Sequence, residues 1–132
     1  MVHRIADSLI PAVWQRRLHI LKNGLPDVSY RKNIIILGAG MAGLTAGYLL
    51  KQSGNSVNIL EGNSRVGGRI HTIREPFSEG RYFDAGAMRI PNDHVLTFEL
   101  IRQFSLPVNS FIGESNNEPL LFHFALFIRL NR

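Results

Sequence analysis

Asn33-Ile-Ile-Ile-Leu37-Gly38-Ala-Gly40-Met-Ala-Gly43-Leu44 couples a run of branched apolar residues to three spaced glycines and then to a helical pattern. A short continuous apolar run that stops at glycine predicts a strand of a parallel sheet, buried on both faces. Met41–Ser53 follows as a helix with Leu44, Tyr48 and Leu49 on its buried side, stopped by Gly54-Asn55. Val57-Asn-Ile-Leu60 is a second short strand. Two strands joined through a helix must lie parallel and adjacent, so the stretch predicts one βαβ unit and an α/β, Rossmann-like fold.

The glycines form G-x-G-x-x-G in the context that gives the motif meaning, after a strand and opening a helix. Gly38 would permit the tight turn, Gly40 the approach of a pyrophosphate to the backbone, and Gly43 close packing of helix on strand. The N–H groups of Met41, Ala42 and Gly43 would face the phosphates at the positive end of the helix. A carboxylate about 20 residues on is the expected partner, and Glu61 stands 23 residues after Gly38, directly behind the second strand. It is placed to accept hydrogen bonds from a ribose, and it would repel a 2′-phosphate. An ADP-containing dinucleotide is the ligand this pattern predicts, with a solvated end-of-strand acid as the plainer reading of Glu61.

Ser64-Arg65-Val66-Gly67-Gly68-Arg69 comes next. Paired glycines reach backbone conformations closed to other residues, and Arg65 and Arg69 could hydrogen-bond a diphosphate. A plain loop with two solvated arginines remains the alternative. Ile70–Arg74 and Arg81–Ala85 read as two extended segments around the turn-rich Glu75–Gly80. A helix capped by Asn92 or Asp93 runs to Phe104, with Val95, Phe98, Ile101 and Phe104 inward, and Ser105-Leu106-Pro107 closes it; Val108–Pro119 reads as loop. Before the first strand, residues 12–23 form a short amphipathic helix with Val13, Trp14, Leu18 and Leu21 on one face, and Asp27–Lys32 is a polar linker. The predicted organisation is a leader of residues 1–32, a dinucleotide-binding portion of 33–91, and a helix with a tail over 92–132.

Composition narrows the function. The chain of 132 residues has no cysteine, which excludes disulfides, cysteine-ligated metals and a cysteine nucleophile. Its net charge of +5 sits almost wholly in residues 1–32, where Arg4, Arg16, Arg17, Lys22, Arg31 and Lys32 face only Asp7 and Asp27. A basic leader on a nearly neutral body, without interleaved aromatics, argues against nucleic acid as a partner. The five histidines are scattered, without metal-ligand spacing. No apolar run reaches the ~18 residues of a membrane span, and the absence of a secretory pattern near Met1 leads to the cytoplasm as the expected location.

Ile34–Leu44, Leu60-Glu61 and Arg65-Val-Gly-Gly-Arg69 together resemble the flavin-dependent amine oxidases, a group that includes monoamine, polyamine and L-amino-acid oxidases. The resemblance implies bound FAD, with Glu61 on the adenosine ribose, Gly38–Gly43 on the pyrophosphate, and Gly67–Arg69 beside the rest of the cofactor. Asp84-Ala-Gly86-Ala87-Met88-Arg89-Ile-Pro91 is similar to a segment of L-amino-acid oxidases that passes the flavin ring, its arginine holding the substrate carboxylate. A planar guanidinium suits that task because it binds a carboxylate through two parallel hydrogen bonds. Arg89 is therefore the candidate substrate anchor, with an ion pair to Asp84 or Asp93 as the structural alternative. The implied reaction is oxidative deamination of an L-amino acid, with molecular oxygen as the second substrate.

The similarity extends over about residues 12–122. Oxidases of this kind are several times longer, which suggests a fragment inactive alone, ending in an edge strand or an out-of-frame tail. Open strand edges and uncovered apolar faces then predict weak FAD binding and self-association. A non-catalytic nucleotide-binding module, or part of a polyamine oxidase or desaturase, are the competing expectations.

Overall fold

The computed structural model describes residues 10–112 and 121–124. They fall into two compact units: Asn23–Ala87 is one, and the described residues on either side of it belong to the other.

The first unit holds the βαβ element. Strands β1 (Asn33–Leu37) and β2 (Ser56–Leu60) pair in parallel with Asn33 opposite Ser56 and Leu37 opposite Leu60, and helix α2 (Met41–Gln52) connects them. The helix seats on the sheet through glycine. A Cβ on Gly47 would lie 2.8 Å from Ile59 Cδ1 and 3.5 Å from Ile36 Cδ1, and one on Gly43 would lie 3.3 Å from Ile36 Cγ2. Of the residues expected on this face, Tyr48 and Leu49 are half-buried, but Leu44 is exposed, which corrects its place in the packing. Missing side chains, rather than leucines, let helix and strand approach.

Burial on both faces of β1 is also corrected. Ile34 and Ile36 are half-buried beneath α2, whereas Ile35 is 65% and Leu37 82% exposed. The helix covers one face, and Ile35, Leu37 and Leu60 remain on the other.

A buried polar knot fixes the turn between α2 and β2. Asn55 Oδ1 accepts the Lys32 N–H at 3.2 Å, and its amide donates to Leu50 O at 3.3 Å and Ser53 Oγ at 3.1 Å. The end of α2 is closed by Gly54 N–H to Lys51 O and Asn55 N–H to Leu50 O, the paired bonds of a Schellman stop. The first unit ends with the short antiparallel pair β3 (Thr72–Ile73) and β4 (Phe83–Asp84).

The second unit contains α1 (Ala12–Asn23) and α3 (Val95–Gln103), with β5 (Asn109–Ile112) and β6 (Leu121–Phe124) paired antiparallel. Helix α1 buries Leu18 and Leu21, but Val13 and Trp14 are exposed. The guanidinium of Arg17, instead of a hydrophobic core, covers the Trp14 ring. Helix α3 buries Ile101 and also Glu99, whose carboxylate is satisfied by Arg102 and Gln103. The amide of Gln103 reaches Leu21 O at 2.5 Å.

His94 is the N-cap of α3, in place of Asn92 or Asp93, and makes no side-chain cap; a turn carrying His94 N–H to Pro91 O leads the chain in. Phe104 lies past the last helical residue and is exposed, contrary to expectation. The stop at Ser105-Leu106 is again a Schellman pair, Ser105 N–H to Arg102 O and Leu106 N–H to Ile101 O, with Ser105 at φ 50°. Strand β5 occupies part of the segment read as loop. The tail beyond residue 124 lies outside the described residues. No described helix is long and apolar enough to cross a membrane.

Candidate functional site

Three segments distant in sequence meet at the C-terminal end of β1 and β2. Gly38 turns the chain at φ 97°, and its N–H donates to Leu60 O at 2.7 Å, closing the turn over the end of β2. Gly43 then passes so near this turn that a Cβ would lie 2.0 Å from Gly38 O. The first intrahelical bond of α2 is Leu44 N–H to Gly40 O. The N–H groups of Met41, Ala42 and Gly43 precede it, and Gly40 offers no side-chain cap.

Gly40 itself is the informative glycine. Its backbone is extended, at φ −80° and ψ 179°, which any residue could adopt. A Cβ there would meet nothing within 4 Å. Gly38 is required by its backbone angle and Gly43 by packing, whereas neither a backbone angle nor a clash among the described residues requires glycine at position 40. Its bare backbone faces open space at the start of α2.

The second segment lies against the first. Gly67 N–H donates to Ala39 O at 2.8 Å, and Gly40 and Gly67 form a parallel bridge. A Cβ on Gly68 would come 3.4 Å from Gly40 Cα. Gly67 O accepts from Ile70 N–H at 3.1 Å, closing a turn with positive φ at both Gly67 and Gly68. The exposed side chain of Arg69 makes no hydrogen bond or ion pair among the described residues. Arg65 differs: its guanidinium donates to Gly68 O at 2.8 Å, Ile70 O at 3.2 Å and Val66 O at 3.3 Å.

Glu61 joins the two segments. Oε2 accepts the Ala39 N–H at 2.8 Å, while Oε1 accepts the backbone N–H of Asn63 at 2.9 Å and its side-chain amide at 3.1 Å. The Ala39 N–H, followed by the two Asn63 donors, holds the carboxyl below its ordinary range against a small opposing effect of desolvation. Glu61 is thus ionised at neutral pH. Two oxygens offer about four acceptor positions, and the Gly62 N–H acts on the carboxylate as well.

The third segment is delivered by the β3–β4 pair. Thr72 Oγ1 hydrogen-bonds Asp84 Oδ1 at 2.5 Å, Ala85 N–H donates to His71 O, and Ala87 N–H donates to Arg69 O at 3.1 Å. Gly86 runs so close that a Cβ would lie 1.9 Å from Arg69 O. Residues 38–43, 61–69 and 84–87 therefore form one layered backbone assembly. The boundary between the two units falls at Ala87–Met88. Met88 and Arg89 are exposed on the segment that leads to α3.

The sequence patterns of known families decide what this assembly belongs to. Residues 41–129 match the pattern of the flavin containing amine oxidoreductases. The chain is a member of the flavin-containing amine oxidase family. A Bacillus subtilis (strain 168) relative, YobN, whose name places it with the L-amino-acid oxidases, is 50% identical over 96 residues, covering 73% of this chain and 20% of the relative. An L-amino-acid oxidase from Notechis scutatus scutatus is 43% identical over 106 residues, covering 80% and 20%. Among solved structures, cyclohexylamine oxidase from Brevibacterium oxydans IH-35A superposes with a TM-score of 0.56 at 36% identity, over 66% of this chain and 18% of that one. Putrescine oxidase bound to putrescine gives 0.55 at 28% identity, over 64% and 18%. This flavin oxidase chain spans about a fifth of the length of the curated relatives it matches.

Several contributors to the assembly were not read from the sequence. Gly47 follows Gly43 by four residues, a small-residue spacing on one helix face that signals close packing. The grip of Asn63 on Glu61 and the Asn55 knot depend on local side-chain bonding that residue spacing does not encode.

Proposed function

We propose that this chain supplies the FAD-binding portion, Rossmann-like in its βαβ unit, of an enzyme that oxidatively deaminates L-amino acids to 2-oxo acids, ammonia and hydrogen peroxide. The observation that carries the reading is Gly40, an extended glycine that neither its backbone angle nor a clash among the described residues requires, beside the uncapped start of α2. That is the geometry a diphosphate needs to reach backbone N–H groups. Gly38, Gly40, Met41, Ala42 and Gly43 would hold the diphosphate, and the Glu61 carboxylate would accept a ribose hydroxyl. Gly67, Gly68 and Arg69 would flank the diphosphate, and Gly86, Ala87 and Met88 the remainder of the cofactor. The charge on Glu61 disfavours a 2′-phosphate.

The chemistry that bound FAD would supply is acceptance of a hydride from the substrate and onward transfer of its electrons to molecular oxygen. Arg89 would hold the substrate carboxylate and so orient Cα, a contribution of proximity and not of chemistry. The names of the curated relatives favour an amino acid as substrate, whereas putrescine and cyclohexylamine oxidases favour an amine without a carboxylate. Arg89 separates the two, since only the first has a use for it. Turnover on this reading needs regions beyond those in this chain, and no peroxide is expected from it alone.

Competition for flavin tests the cofactor reading. FAD fluorescence should be quenched by the chain, ADP should reverse the quenching, and FMN should neither bind nor compete. Equal binding of FMN and FAD would show that the ADP half is not what the chain recognises.

A further inference from the structure

Arg65 was expected beside the diphosphate, yet its guanidinium is turned into its own loop. Three of its five donors are spent on the carbonyls of Val66, Gly68 and Ile70. These three oxygens belong to a turn made of two consecutive glycines at positive φ, the residues that lose most conformational freedom when ordered. Such a turn needs an external hold, and its own sequence supplies one five residues before Ile70.

We propose that Arg65 is a positioning residue that braces the Gly67–Gly68 turn, and not a second contact to the diphosphate beside Arg69. The chemistry requires a guanidinium. A planar fork can serve three converging carbonyls at once, whereas an ammonium acts as a point charge. The braced turn in turn fixes two contacts on the neighbouring glycine loop: Gly67 N–H to Ala39 O, and Gly68 against Gly40. Arg65 thus acts on the cofactor through the backbone. The identity of the ligand rests on the function proposed above; the brace itself does not.

The test uses the whole chain and its R65Q, R65K and R69Q variants, with two readouts. Amide hydrogen exchange at Gly67 and Ile70 reports the turn without any ligand. In R65Q and R65K it should quicken about fivefold or more, with the amides of β1 and β2 unchanged, while R69Q should leave it as in the parent. FAD titrations over a series of salt concentrations report the diphosphate contact. R65Q and R65K should weaken binding with the parent salt dependence, and R69Q should flatten that dependence because it removes a charge from the ligand.

Parent-like exchange and affinity in R65K would overturn the brace, because charge alone would then suffice. Flattened salt dependence in R65Q would overturn it too, by making Arg65 a ligand contact. Unprotected Gly67 and Ile70 amides in the parent would likewise refute it. No FAD binding by the parent would overturn the cofactor reading, and exchange would still decide the brace.

Discussion

Replacing Gly43 by alanine would place a Cβ 2.0 Å from the carbonyl oxygen of Gly38, where real Cβ contacts essentially never fall below 3.0 Å. The obstacle is backbone held by the Gly38 N–H to Leu60 O bond, so relief requires α2 or the turn to move by about an ångström. Overpacking of this kind costs about 3 kcal/mol at its upper range. Alanine returns about 1 kcal/mol of helix propensity, which leaves a net destabilisation of about 2 kcal/mol, or roughly thirtyfold in the folding equilibrium. Gly47→Ala is the matched control on the same face. Its Cβ would meet Ile59 Cδ1 at 2.8 Å, the end of a flexible side chain that can turn aside. A repacking cost of about 1 kcal/mol is then cancelled by the same gain in propensity. Urea unfolding followed by far-ultraviolet circular dichroism should show a lower midpoint for G43A and almost none of that shift for G47A, with equal slopes. Equal midpoints for the two variants would refute the assignment of Gly43 to backbone packing.

Other expectations follow from the same geometry. Glu61 has a folded-state pKa below its ordinary 4.5, so its contribution to stability is complete above that value and disappears as pH falls through the lower folded-state value. The difference in urea midpoint between the parent and E61Q should therefore shrink on acidification through this range, and a constant difference would exclude the ionised carboxylate as its source. Asn55→Ala removes three hydrogen bonds from a buried site and should cost about 1–3 kcal/mol by urea unfolding; an unchanged midpoint would show that the knot holds nothing. Ile35 and Leu37 expose an apolar patch, so Ile35→Lys with Leu37→Lys should reduce concentration-dependent association in sedimentation velocity while moving stability by no more than about 1 kcal/mol. An unchanged distribution of species would show that this patch drives no association.

Local signals carried most of the fold. The apolar run 34–37, the glycine spacing and Gly54-Asn55 marked β1, α2, β2 and the stop between them, because each is a short-range rule of backbone and solvent. The errors have a common cause in packing. Continuous hydrophobicity in β1 implied two covered faces, but α2 covers only one. Leu44 reads as part of the helix–sheet contact with Tyr48 and Leu49, but Gly43 and Gly47 form the closest approach and leave Leu44 exposed. Position also misled at α3, where a tight turn ending at His94 replaced the acidic or amide cap. In the site, residue types pointed to the participating segments, but roles within them did not follow from type. Arg65 and Arg69 look equivalent in sequence, and only the loop's converging carbonyls distinguish them. Gly86 reads as a ligand contact in a motif, and its packing against the backbone of Arg69 and His71 is a second reason for glycine there that spacing does not reveal.

The most direct measurement pairs thermal stability with FAD affinity in Gly40→Val. Position 40 has an extended backbone and open space around a Cβ, so valine should still fold, with a melting temperature lowered by about 5 °C through its poorer helix N-cap preference. The same side chain would stand where the proposed diphosphate would lie, and the saturable FAD binding expected of the parent should be lost. A variant that is stable and still binds FAD with parental affinity would contradict the proposed site.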